Sequence, residues 1–300
     1  MKRLTILLAT VIYCYSASAQ DDTTSKPPRP DTMRIGNILI IKKDGKKNKD
    51  NKNVDSSGTE MVMGRNTDRR RHSRVTTNWW VVDLGFANYD DKTNYANAGN
   101  YLVNNPASGV PAISSSDFKL RTGKSINVNI WFFMQRLNLV KRNINLKYGL
   151  GLELNNYRYK SGITYKEKGP LPYSGQTTNM PFIYREDSIA FSKNKLAADY
   201  ITVPIMLSFA STPSNDKKGI TLSAGISAGY LYSQRNKQKS DANGEKKNKG
   251  EYDLEKFKIS YIAELGLGPV RLYGSYSPKS IYERSLDIRP YTFGVRFSNL

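Results

Sequence analysis

From Trp80 to the C-terminus, apolar and polar residues alternate along the chain with a period of two. The stretch 145–155 places Leu146, Leu150 and Leu154 on one face and charged residues on the other. Such alternation predicts β-strands with one apolar and one polar face. Eight stretches carry the pattern, most of them about ten residues long: 80–87, 126–135, 145–155, 201–209, 220–230, 257–267, 270–276 and 291–297.

The alternation by itself fits a soluble barrel or sandwich as well as a membrane barrel. Three features favour a membrane barrel over a soluble fold. The apolar faces are almost free of charge, the strand length matches the roughly 9–11 residues of a transmembrane strand, and short connections alternate with long ones. The short ones lie near 141–143, 211–218 and 268–269, and the long ones near 90–124, 160–195, 236–253 and 278–289. We therefore predict an all-β fold, an eight-stranded antiparallel transmembrane up-and-down β-barrel over residues 78–300.

This interpretation fixes which side chains should meet lipid and which should face the axis. Leu150, Val203 and Ile226 should point outward, as should Met134 in its own strand. Aromatic residues near the strand ends, Trp131 and Tyr157 among them, should lie at the membrane interface, where amphipathic rings are favoured. In an eight-stranded barrel the inward side chains fill the lumen, so a polar plug is expected and an open channel is not.

The first 19 residues have the pattern of a cleaved secretory signal peptide. Lys2 and Arg3 precede an apolar stretch at 4–15, and Ala17-Ser18-Ala19 forms a small-residue cleavage site. A lipoprotein signal is the alternative, but Cys14 does not follow small residues. We expect export to the outer membrane, with removal of the only cysteine, so that the mature protein has no disulfide.

Residues 20–77 are basic and of low complexity, with prolines at their start and an arginine run at 69–71. Such a composition buries too little apolar surface to offset the entropy of ordering, so we expect a mostly disordered periplasmic tether. Its one apolar segment is Ile38–Ile41. A solvated linker is favoured over a docking peptide. Binding of nucleic acid is not expected, because an exported chain does not meet it.

The composition of the chain argues against catalysis. Among 300 residues with a net charge of +20 there is one histidine, His72, and it lies in the tether. Outer-membrane barrel hydrolases, acyltransferases and proteases rely on a histidine as general base. The sequence has no metal-ligand cluster and no phosphate-binding loop. We therefore expect no enzymatic activity and no cofactor. No apolar run is long enough for a transmembrane helix.

Seven charged residues fall on the inward faces and have mixed sign. Because unpaired charges in a narrow lumen are costly, we predict a hydrogen-bonded ion-pair network along the axis. Its members are Asp83, Lys147, Glu153, Lys258, Glu264, Arg271 and Arg296. Structural stabilisation is favoured over an ion or proton path.

The predicted loop 236–253 is rich in lysine, and lysine can bind the phosphates of lipopolysaccharide. The residues concerned are Lys237, Lys239, Lys246, Lys247 and Lys249. The alternative is a solvated charged loop, because acidic residues are interspersed. Outer-membrane lipid is the other expected partner of the protein.

Several motifs are similar to those of the PorT-like outer-membrane β-barrel family. They are WWVVDLG at 79–85, KSINVN at 124–129, YGLGLELNNYR at 148–158, and SKNKL at 192–196 followed by YITVP at 200–204. The resemblance covers roughly residues 78–300 and the segment 33–43. It implies an eight-stranded barrel in the outer membrane of a Gram-negative cell. Most members have no assigned activity, and the founding member is tied to protein secretion.

The C-terminal pattern resembles the signal read by the barrel assembly machinery, which would be a partner during biogenesis. It comprises Tyr291, Phe293, Gly294 and Phe297, but the chain ends on Ser298-Asn299-Leu300 instead of an aromatic residue.

Two functions remain open at this point. One is a structural or envelope-interaction barrel, and the other is an accessory component of a secretion or transport assembly with a protein partner. A small pore is a third possible function, and it would require that the protein conduct ions across planar bilayers.

Overall fold

The computed structural model describes residues 74–298 except Ser108, Lys141 and 213–218, together with the backbone of three short strands before them. These strands, Thr32–Ile35, Ile38–Ile41 and Glu60–Val62, pair in that order and antiparallel. The predicted signal peptide, 1–19, and most of the predicted tether, 20–77, lie outside the described residues. The chain divides into two units, Met1–Arg71 and His72–Leu300.

Eight long strands make up most of the second unit, and all eight predicted stretches are among them. The first begins three residues before the boundary predicted at residue 78. In chain order they are β1 (Val75–Asp91), β2 (Ile126–Val140), β3 (Ile144–Arg158), β4 (Lys193–Ala210), β5 (Ile220–Ser240), β6 (Phe257–Leu267), β7 (Val270–Tyr276) and β8 (Ile288–Phe297).

Within the described residues, each long strand pairs antiparallel with the next one in the chain, and β8 pairs with β1. The start of β1, the end of β8 and the short connections lie at one end of the strands, which we call the turn end. The long connections lie at the other end, the loop end.

The two faces of these strands differ sharply in polarity. In the parts of β4 to β7 spanning 201–210, 220–232, 257–267 and 270–276, every exposed side chain is apolar or aromatic, and every charged one is buried. The predicted outward orientation is confirmed for Val203 and Ile226, which are 43% and 50% exposed. We give the name belt to the following exposed apolar and aromatic residues, which come from all eight strands: Leu84, Phe86, Ile126, Ile144, Ile201, Val203, Ile205, Leu207, Phe209, Ile220, Leu222, Ile226, Tyr230, Phe257, Ile259, Tyr261, Leu267, Val270, Leu272, Phe293 and Phe297.

The predicted alternation of β2 is wrong beyond Trp131. The register between β2 and β3 shifts between Trp131 and Phe133, so that Phe132 is an extra residue. A β-bulge of this kind moves the following side chains to the opposite face, here as far as a second register shift between Asn138 and Val140. Met134 is consequently buried inside instead of facing outward. On the neighbouring β1, Trp79 and Trp80 are both exposed, and Trp80 has a positive φ of 57°.

The long connections at the loop end are folded. Leu102–Val103, Phe182–Arg185 and Ile163–Lys166 form a small three-stranded sheet. The loop predicted at 236–253 is wrong in its first part, because β5 continues to Ser240 and pairs with a strand at Gly244–Lys249. Buried polar side chains explain the extension: Asn236 donates a hydrogen bond to Asn194 Oδ1 of β4, 3.1 Å away. We call the connections 92–125, 159–192, 241–256 and 277–287 the cap.

The buried interior has two parts of different chemistry. Toward the turn end it is polar and charged, with one small apolar cluster of Val81, Trp131, Met134 and Met206 beside the charges. Toward the loop end, the apolar and aromatic side chains of the cap pack with the strand ends in one cluster that includes Tyr157, Tyr165 and Tyr200. The expectation that polar side chains fill the lumen is therefore wrong for the part of the interior that lies next to the cap.

Candidate functional site

An ion cluster connects five strands toward the turn end of the interior. Arg296 on β8 binds Asp83 on β1 through two parallel hydrogen bonds, Nε to Oδ1 at 2.7 Å and Nη2 to Oδ2 at 2.8 Å. Its Nη1 also donates to Glu264 Oε2 on β6, 2.6 Å away. Glu264 accepts two further bonds at Oε1, from Lys147 Nζ at 2.9 Å and from Arg271 Nη1 at 3.1 Å. Bidentate Arg–carboxylate hydrogen bonds are among the strongest hydrogen bonds in proteins.

A second ion pair lies nearer the cap. Lys258 on β6 donates to Glu153 on β3, and its ammonium group lies 4.7 Å from the centre of the Tyr200 ring. Asn155 Nδ2 also donates to Glu153 Oε1, at 3.0 Å. The ring face supplies negative electrostatic potential to the ammonium group in addition to the carboxylate charge.

Buried amide side chains connect the ion cluster with the Lys258–Glu153 ion pair, so that all of these residues form one network. Asn127 Nδ2 donates to Asn155 Oδ1 at 2.9 Å and to Asn129 Oδ1 at 3.0 Å, and Asn129 Nδ2 donates to Asp83 Oδ2 at 3.1 Å. Trp131 Nε1 donates to the same carboxylate oxygen at 2.8 Å. Trp131 was predicted to lie at the membrane interface. It is instead buried in the interior, where its indole N–H donates a hydrogen bond to Asp83.

All seven charged residues predicted for the interior take part in this network. Each is buried, with 0–8% of its surface exposed. Three carboxylates face four cations, so the network has a net formal charge of +1 (4 − 3). The sequence analysis missed its amide members and Trp131, although they occupy the same alternating face as the charged residues and could have been found there.

Small voids border the network in the part of the chain that the structure describes. Two voids lie beside it, of about 20 Å³ and about 30 Å³, and Glu264 and Arg296 line both. A single water molecule needs a cavity of roughly 10–15 Å³. The smaller void therefore has room for one or two waters and the larger for two or three, which is less than a hydrated ion needs.

The cap is held by buried tyrosines. The Tyr165 hydroxyl lies 2.7 Å from the Tyr159 hydroxyl and 2.6 Å from that of Tyr282, and the Tyr101 hydroxyl donates to Tyr252 O at 2.6 Å. Burial raises the pKa of each of these five phenols, and that of Tyr252 to about 12. The phenols are therefore neutral at physiological pH and act as hydrogen-bonding core residues. Tyr157 and Tyr89 also belong to this packing, their rings being 5.7 Å apart, so Tyr157 is not at the interface as predicted.

A cleft of about 600 Å³ opens in the cap. The exposed side chains of Tyr173 and Met180 line it, together with an ion pair in which Arg284 Nη2 donates to Asp253 Oδ1 at 2.6 Å. Tyr173, Asp253 and Ser285, all lining the cleft, have positive φ angles of 75°, 59° and 67°. Such backbone strain in residues other than glycine is concentrated at functional sites more often than elsewhere.

The five lysines predicted to contact lipopolysaccharide lie on the hairpin formed by β5 and Gly244–Lys249. Lys237 is directly opposite Lys247, and Lys239 is opposite Glu245. Lys246 lies on the other side of the hairpin, where it lines a pocket of about 150 Å³ with Lys166 and Tyr184. By the same alternation Lys249 shares the face of Lys247, so the structure groups four of the five lysines and separates Lys246 from them.

The residues predicted to form the assembly signal lie on β8. Phe293 and Phe297 are 50% and 56% exposed and belong to the belt, while Tyr291 and Gly294 are partly buried. The Phe293 ring packs against Phe86 of β1, with the ring centres 5.6 Å apart.

In the part of the chain that the structure describes, no group of three or more His, Cys, Asp or Glu side chains could hold a metal ion. None of the helical turns described there has the length and apolar character of a membrane-crossing helix.

Residues 80–278 match the family model described as outer membrane protein beta-barrel domain. The matched range includes seven of the long strands in whole or in large part and most of the cap. Among curated proteins, no match was found.

Proposed function

The chain belongs to the outer membrane protein beta-barrel domain family, and on that premise we propose that it is an integral outer-membrane protein with a closed eight-stranded barrel, a filled lumen and a structural or envelope-interaction role. The ladders that join each strand to the next and β8 to β1 support closure, because a strand can lie in lipid only if both of its edges are paired. Export through a cleaved signal peptide at 1–19 completes this proposal.

The observation that carries the proposal is the inverted polarity of the strands. A soluble protein rarely exposes a continuous apolar patch of more than a few hundred Å². Here the whole belt is exposed, with side chains such as Leu207 and Phe209 more than half accessible, while the charged residues in the apolar parts of β4 to β7 are buried inside. Lipid against the belt is the environment in which this arrangement is stable.

Replacing one belt residue by arginine tests the proposal. Ile205→Arg places a charge in the middle of the apolar part of β4, where a lipid-facing arginine costs roughly 2–4 kcal/mol. We expect the variant to fold into lipid vesicles in much lower yield than the parent, measured by the heat-dependent shift in gel mobility. Met180→Arg, at an exposed position of the cap, is the matched control and should fold normally. Equal folding of both variants, or a parent protein that stays monodisperse without detergent, would contradict the proposal.

We propose that the barrel is not a pore. The voids beside Glu264 and Arg296 are too small for ion passage, and the aromatic cluster of the cap fills the other half of the interior. Reconstituted into planar bilayers, the protein should give no discrete conductance steps at concentrations at which a porin does. Regular steps would refute the closed lumen.

We further propose that the protein acts without catalysis and that it is a PorT-like member of its family. The first point is supported by the position of the single histidine, His72, before the barrel strands. The second is supported by the sequence motifs at 79–85, 124–129 and 148–158.

A secretion role is the alternative function. Deletion of residues 33–43 tests it, because loss of a stoichiometric envelope partner on co-purification would favour that role over a purely structural one.

A further inference from the structure

A strongly basic surface lies at the loop ends of β3, β4 and β5 and on the strand Gly244–Lys249. We call it the cationic face. Its members are Arg158, Lys193, Lys195, Arg235, Lys237, Lys239, Lys247 and Lys249, together with the carboxylates of Asp199 and Glu245. Eight cations thus stand against two acids, an excess of six positive charges (8 − 2).

The side chains of this surface point away from the interior. On β4, Asn194 and Leu196 are buried, and on β5, Asn236 and Gln238 are buried. Because neighbouring residues of a strand point to opposite sides, the residues between them, such as Lys195 and Lys237, point outward. The cationic face is therefore on the same side of the strands as the belt.

Four of the cations form one row across four strands. Arg158 is paired with Lys195, Lys195 with Lys237, and Lys237 with Lys247. Directly opposite residues have Cβ atoms about 4.5–5.5 Å apart, and like charges at that distance destabilise the sheet. Anions lying against a row of this kind would relieve the repulsion.

The two acids of the surface do not supply enough negative charge. Glu245 lies 2.7 Å from Lys237 Nζ and 3.4 Å from Lys247 Nζ, and Asp199 lies 2.8 Å from Arg235 Nη2. Lys195 lies above the belt, outside the apolar part of β4. Two further cations, Arg158 and Lys237, lie directly opposite Lys195, so an external anion would stabilise its ammonium group.

The height of the cationic face matches the headgroup layer of a bilayer. Arg235 follows the exposed Tyr232 of β5 by three residues. Three residues span about 10 Å along a strand, or about 7 Å along the membrane normal for a strand tilted by about 45°. Two other strand ends at the loop end carry paired charges, Lys92 with Asp90 at 3.3 Å and Arg289 with Asp287 at 2.8 Å.

We propose that the cationic face binds the phosphate groups of a phosphorylated glycolipid in the outer leaflet, with the acyl chains of that lipid against the belt residues of β4 and β5. The inference rests on the proposed function, since only a protein inserted in the outer membrane presents this face to that leaflet. Unlike the prediction from sequence, the site excludes Lys246 and includes basic residues of β3 and β4.

Binding of diphosphoryl lipid A to the full-length protein in detergent micelles tests the proposal, measured by native mass spectrometry or by the rise in unfolding temperature. Lys195→Gln/Lys247→Gln removes two charges from the central row. Each basic residue near an anionic lipid surface strengthens binding by roughly fivefold, so we expect about 25-fold weaker binding. Lys166→Gln/Lys246→Gln removes two charges from the pocket on the opposite side of the hairpin and should bind as the parent does.

Two further probes identify the ligand. Lipid A without phosphates should bind at least tenfold more weakly than diphosphoryl lipid A, and inorganic phosphate at 10 mM should not displace the bound lipid. Equal weakening by the two double variants would overturn the proposal, as would equal binding of the dephosphorylated lipid. Displacement by inorganic phosphate would identify a free-phosphate site and would overturn it as well.

Failure of this inference can be told apart from failure of the proposed function. Folding into vesicles made only of a zwitterionic lipid depends on the belt and not on the cationic face. A protein that folds into such vesicles but does not distinguish the lipid A species retains the proposed function and loses only the glycolipid site.

Discussion

Replacing Glu264 by glutamine is the sharpest test of the charged interior. Glu264 accepts hydrogen bonds from Lys147, Arg271 and Arg296 at 2.6–3.1 Å and is 2% exposed. In Glu264→Gln these three cations are left with Asp83 as their only acid within the cluster. The formal charge of the cluster then rises from +1 (3 − 2) to +2 (3 − 1), in a space with room for very few waters.

The expected cost is large because one partner of a buried ion pair is removed. Such changes typically cost about 3–5 kcal/mol, since a buried charge is left uncompensated. For a protein with 150–250 ordered residues, 1 kcal/mol corresponds to roughly 2–4 °C in the unfolding temperature. We therefore expect Glu264→Gln to lower the unfolding temperature by about 10 °C.

The assay is thermal unfolding in detergent micelles, followed by circular dichroism and by the heat-dependent gel shift. Glu264→Gln/Lys147→Met restores the cluster charge to +1 and should recover part of the loss. Glu245→Gln removes an acid from an exposed ion pair and should have little effect, because such pairs contribute little to stability. An unchanged unfolding temperature in Glu264→Gln, or a double variant less stable than the single one, would refute the reasoning.

Two further predictions concern the cap. Tyr165→Phe removes a buried hydroxyl that bonds to two other phenols, and we expect a loss of about 1–2 kcal/mol, measured by thermal unfolding; an unchanged midpoint would contradict the hydrogen-bonded assignment. Burial raises the pKa of the cap phenols, that of Tyr252 to about 12, so the folded state holds these protons more tightly than the unfolded state, whose phenols titrate near 10. Their contribution to stability is therefore complete below pH 10 and is lost as the pH rises toward 12. Absorbance of phenolate at 295 nm and near-ultraviolet circular dichroism should change together in that range, and ionisation near pH 10 with an unchanged dichroism spectrum would contradict it.

The strand pattern could be predicted from sequence because burial on one face forces a strict period of two. In β3 the alternation has no exception over Ile144–Arg158, so Lys147, Glu153 and Leu150 fall on the faces expected of them. The inward position of the charged residues follows from the same period. Their pairing does not, because contacts such as Arg296 with Asp83 join residues 213 positions apart in the chain.

The features that the sequence did not reveal depend on contacts between strands. The bulge at Phe132 is a matter of register between β2 and its neighbours, and no local signal marks it. The continuation of β5 beyond Tyr232 has a polar sequence, typical of a loop. It is a strand because Asn236 and Gln238 find buried partners in β4 and the cap, and satisfied hydrogen bonds offset the cost of burying amides.

The cap and the strands share one core, and this determines how the cationic face can act. Tyr157 and Leu196 belong to β3 and β4, yet they pack in the same buried cluster as Tyr165 and Tyr282 of the cap. Movement of the cap would therefore expose aromatic surface and break the hydrogen bonds among the phenols. The strand ends that carry Arg158 and Lys195 are fixed by this packing, so their charges are held in a row before any lipid arrives. A preformed array loses less conformational entropy on binding than flexible lysine loops would, and it can match the fixed spacing of two phosphates on one headgroup.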